Sequence, residues 1–177
     1  MQRRTVIKHF FWMGAGMAFL PSCVFQQDKL SIQLKNLSIT PKDEAFLKTF
    51  AATLIPANEG PGAAELGIHL FALKMADDCL GKEEQAAFTK GLKDLQVLAD
   101  KELGASFDAA DPAKRLAFLQ KTAEGKDDLS SFVNQLRGQI IRGYTQSEHY
   151  LTKVRPYKLV PGKYKSCIPV NPSATKS

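Results

Sequence analysis

Histidine and cysteine are scarce in this chain, three of each among 177 residues, and tryptophan occurs once. That scarcity narrows the chemistry on offer. There is no Cys-x-x-Cys pair, no P-loop and no Gly-x-Ser-x-Gly elbow, so thiol-redox, phosphate-cradling and serine-hydrolase templates all fail. Gly14-Ala15-Gly16 comes nearest to a dinucleotide loop, but it lacks the further glycine that opens a helix. No apolar run reaches the roughly 20 residues that a membrane-spanning helix needs. Its 24 lysines and arginines are interspersed with 18 acids and form no basic stripe with interleaved aromatics, so nucleic acid is not an expected partner.

What the chain does have begins at its N-terminus. Arg3-Arg4 is followed by Thr5, two apolar residues and Lys8, then by an apolar stretch of about eleven residues, Phe10 to Leu20, and by Leu20-Pro21-Ser22-Cys23. A basic head, a brief apolar run and small residues before a cysteine read as a secretory signal. The arginine pair points to the twin-arginine route, which carries proteins already folded. Leu-Pro-Ser-Cys resembles a bacterial lipobox, in which Cys23 receives the lipid and becomes the first mature residue. Two or more acyl chains hold a protein on a membrane far more firmly than one. Cleavage before Cys23 leaves 155 residues and, because Arg3, Arg4 and Lys8 depart with no acid, lowers the net charge from +6 to +3. A chain of that length makes one domain that buries about 70% of its unfolded surface. An oxidising compartment permits disulfides, and Cys79 and Cys167 remain as a pair.

The rest reads as an all-α bundle of about five helices between a tether, residues 23–39, and an extended arm, residues 150–177, with the bundle over 40–149 and the signal over 1–22. Leu30, Ile32 and Leu34 alternate with polar residues, the pattern of a short strand laid against something. Thr40-Pro41-Lys42-Asp43 is a helix start with a capping threonine and proline at the first turn. Phe46, Leu47, Phe50, Ala51, Leu54 and Ile55 form its apolar face, and Pro56 stops it. An irregular stretch, Ala57 to Gly67, precedes a second helix over Ile68 to Leu80, with a stripe through Ile68, Phe71, Ala72, Met75 and Cys79. A third helix spans Lys82 to Leu103 and ends at Gly104; a fourth opens at Asp111-Pro112; a fifth starts at Asp128 and carries Phe132, Val133, Leu136, Ile140 and Ile141. From Tyr150 the prolines 156, 161 and 169 forbid continuous helix. The apolar residues between them need a surface to cover, on the bundle or on a partner.

No self-sufficient active site emerges. His69 has Ala72 and Leu73 where a second helical ligand would stand, and is expected to satisfy a local backbone group. Asp77-Asp78 reads as a solvated edge, and Glu148 and His149 point about 100° apart on a helix. Cys79, on an apolar stripe, is expected to be buried and inert. Cys167 is placed either to pair with Cys79 or to bridge to another chain, and both remain open because bridging requires Cα atoms within about 7 Å.

Leu54-Ile55-Pro56-Ala57, Pro61-Gly62-Ala63 and Gly67-Ile68-His69 with Phe71 resemble the gluconate 2-dehydrogenase subunit 3 family. Gly143-Tyr144, Ser147-Glu148 and Val160-Pro161-Gly162-Lys163-Tyr164 with Cys167-Ile168-Pro169 resemble its closing segment; Leu70 stands where that family usually has glutamate. The resemblance implies a non-catalytic small subunit that holds no cofactor or metal of its own. Its implied partner is a large flavoprotein dehydrogenase of the glucose-methanol-choline type, which binds FAD and oxidises a sugar or polyol; a cytochrome c subunit is a further candidate partner. The small subunit would escort the folded flavoprotein through the twin-arginine route and anchor it on the periplasmic side of a bacterial membrane. Tyr157, Leu159, Val160, Tyr164 and Ile168 would then lie across the large subunit, with Cys167 as a covalent clamp. Two other readings differ in class. A free-standing periplasmic lipoprotein would bind a carbohydrate or envelope component through the 57–67 loop and the arm, and an enzyme would use His69, Glu148 and His149.

Overall fold

The computed structural model describes residues 30–155 together with 158 and 162. Five α-helices run in sequence: α1 Pro41–Leu54, α2 Ile68–Cys79, α3 Lys82–Leu103, α4 Pro112–Ala123 and α5 Asp128–Thr145. A π-helical turn, Tyr150–Val154, follows them, and there is no strand among the described residues.

Local chemistry sets the helix ends. The Thr40 hydroxyl accepts from the Asp43 amide at 3.2 Å, and the Asp43 carboxylate accepts from the Thr40 amide at 2.9 Å, a reciprocal capping box with proline at the first helical position. α1 ends because Ile55 precedes Pro56 and is driven out of the helical region. Gly104 closes α3 in the left-handed conformation (φ 66°), which a side chain would oppose. Asp111 caps α4, accepting from the amides of Ala113 and Lys114. Asp127 caps α5 through the amide of Ser130 at 2.8 Å.

α5 is the central helix, packed against α2, α3 and α4. Its inner face, Phe132, Val133, Leu136 and Ile140, meets Phe46, Leu47 and Phe50 of α1 and Phe88, Leu92 and Leu95 of α3 in one continuous core. Phe107, in the loop between α3 and α4, joins it: only 2% of the residue is exposed, and its ring packs at a tilt against Phe46 at 4.7 Å and edge-on against Phe118 at 6.2 Å. Burying such a ring stabilises the fold by about 1.5–3 kcal/mol. Two glycines set close approaches. A β-carbon on Gly143 would come within 2.7 Å of the Phe71 ring and 2.9 Å of Ile68, so α5 touches α2 only because Gly143 has none. Gly91 does the same for α3, whose backbone lies against the ring of Phe132.

Three sequence expectations are corrected here. Residues 30–40 form an irregular strap rather than a strand, although Leu30, Ile32 and Leu34 do pack on the core beside the buried Leu37 and Ile39. The buried face of α2 is Ile68, His69, Ala72, Leu73, Ala76 and Asp77, one residue round from the apolar stripe, which leaves Cys79 exposed rather than buried. Tyr150–Val154 is helical, not the start of an extended arm.

Candidate functional site

The family-like motifs of the first and last thirds of the chain meet at one end of the bundle. In the loop from Ile55 to Gly67, the Ala63 amide donates to the Ile55 carbonyl at 2.9 Å, and the Ile68 amide donates to the Ala63 carbonyl at 2.9 Å. The Ile-Pro-Ala turn is thereby clasped to the Pro-Gly-Ala turn. Gly62 lies at the crossing: a β-carbon there would sit 2.6 Å from the Ala57 nitrogen and 2.8 Å from the Ile55 oxygen, both backbone atoms with little room to yield. Gly67 adopts φ 66° before α2 begins. From the other side the Tyr144 hydroxyl donates to the Pro61 carbonyl at 3.3 Å, and the Tyr144 ring packs edge-on against Tyr150 at 5.9 Å. The His149 ring covers Gly60, where an added β-carbon would be 3.1 Å from Nε2. Pro61 and Tyr144, 83 positions apart, thus share a single clasp.

His69 does not join that clasp. It is buried beside Glu44 and Lys48 of α1, and among the described residues its Nδ1 has no hydrogen-bond partner. Burial pushes its pKa down, opposed by the Glu44 carboxylate and reinforced by the Lys48 ammonium. Among the described residues Nδ1 therefore lacks the backbone partner expected for His69. Among the described residues no hydrogen bond links His69, Glu148 and His149 to one another, and Glu148 lies exposed. Nor do the described residues contain a group of three or more His, Cys, Asp or Glu side chains suited to a metal.

Asp77 overturns the reading of a solvated edge. The residue is 1% exposed, and its carboxylate receives three backbone amides of the strap: Lys35 at 2.8 Å, Asn36 at 2.7 Å and Leu37 at 2.8 Å. The Asn36 side chain and Gln85 both donate to the Asp77 carbonyl at 2.9 Å. The Lys35 amide, followed by those of Asn36 and Leu37 and by the charge of Lys74, holds the Asp77 carboxyl below the usual range. Glu44 makes a second tie, accepting from the Ser31 amide at 2.8 Å. Sequence reasoning missed both carboxylates because their partners lie 13 to 42 positions away.

Two grooves open on α3. One, about 680 Å³, runs between α3 and α5 over the edge-on Phe88–Phe132 pair, and the buried Oε1 of Gln139 beside it has no partner among the described residues. The other, about 790 Å³, lies between the strap and α3 and is lined by Lys35, Lys82, Lys90 and Lys93 with Asp94 as its acid. The residues expected to carry export, anchoring and partner contact, namely Arg3, Arg4, Cys23, Tyr157, Leu159, Val160, Tyr164, Cys167 and Ile168, lie outside the described residues. Among the described residues Cys79 has no disulfide partner.

No curated protein and no solved structure matches the chain. The model of the family described as gluconate 2-dehydrogenase subunit 3 matches residues 41–162, a span holding all five helices and both halves of the clasp. That span is well over half of the chain, and this protein belongs to the gluconate 2-dehydrogenase subunit 3 family.

Proposed function

We propose that this chain is the small, non-catalytic subunit of a membrane-associated FAD-dependent sugar or polyol dehydrogenase, serving as escort, stabiliser and anchor of the catalytic flavoprotein. The observation that carries the reading is the family match over residues 41–162, which makes the chain a subunit of a dehydrogenase complex. The N-terminus supplies the rest of the argument. A flavoprotein binds FAD in the cytoplasm, so a partner bearing Arg3-Arg4 allows the loaded complex to cross the membrane folded. Cys23, once acylated, holds the complex beside its electron acceptor, for which a cytochrome c subunit is a candidate. Tyr157, Leu159, Val160, Tyr164 and Ile168 pack on the large subunit. Cys167 forms a disulfide either with the partner or with Cys79, whose thiol is exposed at the C-terminal end of α2 and therefore available.

The test is a mild-detergent pull-down of the tagged protein from its native membranes, read by flavin absorbance and on non-reducing gels. A yellow eluate with a large second chain is expected, and a reductant-sensitive joint band assigns Cys167 to the interface. A colourless, solitary protein defeats the subunit reading and favours the free-standing lipoprotein. Cys23→Ala is expected to move the protein out of the membrane fraction. Unchanged association after that substitution would rule out the lipid anchor.

A further inference from the structure

We propose that the lysine-lined groove between the strap and α3 is the face this subunit lays on a bilayer containing anionic phospholipid. Lys82, Lys90 and Lys93 share one side of α3 over about 16 Å of helix, at 1.5 Å per residue. Lys35 faces them from the strap across the groove. All four side chains belong to exposed residues, and none is in a salt bridge among the described residues, where the ion pairs involve Lys74 and Lys121. The acids nearby are Asp94 in the groove, Glu83 and Glu84 beside Lys82 in the first turn of α3, Asp43 beneath Lys93 and Asp77 beneath Lys35. Asp43 and Asp77 are buried and committed to backbone amides, Glu84 accepts from the Gly81 amide, and the groove's own lining presents four cations to one acid. A cluster of four such cations beside a membrane attachment is enough to bind anionic headgroups.

Position supplies the second argument. The strap is where the chain outside the described residues enters the bundle, at residue 30. The inference rests on the proposed lipid at Cys23: from there to residue 30 the chain spans at most about 25 Å. An acylated Cys23 therefore keeps this end of the bundle within that distance of the headgroups. The lysine groove flanks the strap, whereas the α4 surface and its loops belong to other elements. A short leash at one end of the strap and a cationic face along its other end orient the domain, and orientation is something a lipid alone does not supply.

The test is co-sedimentation of residues 23–177, the chain left by cleavage before Cys23 and made without lipid, with vesicles of phosphatidylcholine alone and of phosphatidylcholine mixed with phosphatidylglycerol. The triple variant Lys82→Glu, Lys90→Glu, Lys93→Glu is compared with the charge-matched triple Lys101→Glu, Lys114→Glu, Lys126→Glu. All six positions are exposed, and helicity by circular dichroism verifies that both variants fold. The groove triple is expected to lose about a hundredfold in binding to the anionic vesicles, from roughly fivefold per lysine, with the matched triple losing far less. Wild-type binding should also weaken steeply with added salt. Equal losses in the two triples would overturn the proposal, as would equal binding of the wild type to both vesicle types. A groove triple that keeps its vesicle binding but no longer retains the flavoprotein assigns the lysines to the partner's acids, which also overturns it. The vesicle comparison needs no lipid on Cys23, so its failure is separable from failure of the anchor, which only the Cys23→Ala fractionation reads.

Discussion

His69 and Asp77 occupy the same face of α2 and answer to pH in different ranges. Burial holds the His69 imidazole below its ordinary value of 6.5. As pH falls, the unfolded chain takes up that proton first, so stability is full above about pH 6.5 and declines below it. Urea midpoints measured from neutral to mildly acidic pH should fall for the wild type, and His69→Gln should remove most of that slope. A slope unchanged by the substitution would mean that other groups carry it. Asp77 works lower on the scale. Its folded carboxyl lies below the usual carboxylate range, so its contribution is complete above about pH 4 and is lost as pH drops through the folded value. Burial pushes Asp43 up, but the amide and hydroxyl of Thr40, Gln96 and Lys93 bring it below the ordinary range, and the amide of Ser130 does so for Asp127. Asp77→Asn is expected to lower the melting temperature at neutral pH and to narrow the gap between neutral and strongly acidic melts. A variant that melts like the wild type at neutral pH and keeps the full gap would show that the carboxylate ties nothing.

Among the elements, Gly62 in the loop from Ile55 to Gly67 and Gly138 in helix α5 respond oppositely to an added methyl group. A methyl group on Gly62 meets backbone atoms at 2.6 and 2.8 Å, so Gly62→Ala should cost about 2 to 3 kcal/mol through overpacking. Gly138, inside α5, has open space around it, and Gly138→Ala should stabilise by about 0.5–1 kcal/mol through backbone entropy. Denaturant melts of the two variants distinguish these signs. Helix ends were legible in the sequence because their causes are local: Thr40 with Asp43, Pro56, Gly104 and Asp111-Pro112 act within four residues of the boundary. The buried face of α2 was not, because an apolar stripe omits the two polar residues, His69 and Asp77, that are packed inside with Ala72, Leu73 and Ala76. The clasp was half legible. Its turns stand out as Pro and Gly clusters, but the contact of Pro61 with Tyr144 joins residues too far apart for any periodicity to report.

For the whole molecule, Thr40→Ala measures how far one end of the bundle depends on its cap. It removes the hydroxyl that accepts from Asp43 and should cost about 1 kcal/mol, read as a lower urea midpoint. A loss well beyond that would mean that α1 and the strap unfold together. They are already coupled through Glu44, which belongs to α1 and holds Ser31, while Asp77 of α2 holds residues 35–37. The strap therefore belongs to the fold, and the chain outside it joins the bundle at residue 30.

That arrangement decides where a mechanical pull is felt. Tension drawn on the N-terminus meets first the tie to Glu44, seated in the first turn of α1, and then the three amides seated together on Asp77, before it reaches the Thr40 cap. The load is shared sideways with the last turn of α2 instead of falling on the end of α1 alone. Without the Asp77 carboxylate, the same tug would arrive at the Thr40 cap and unwind the helix from there.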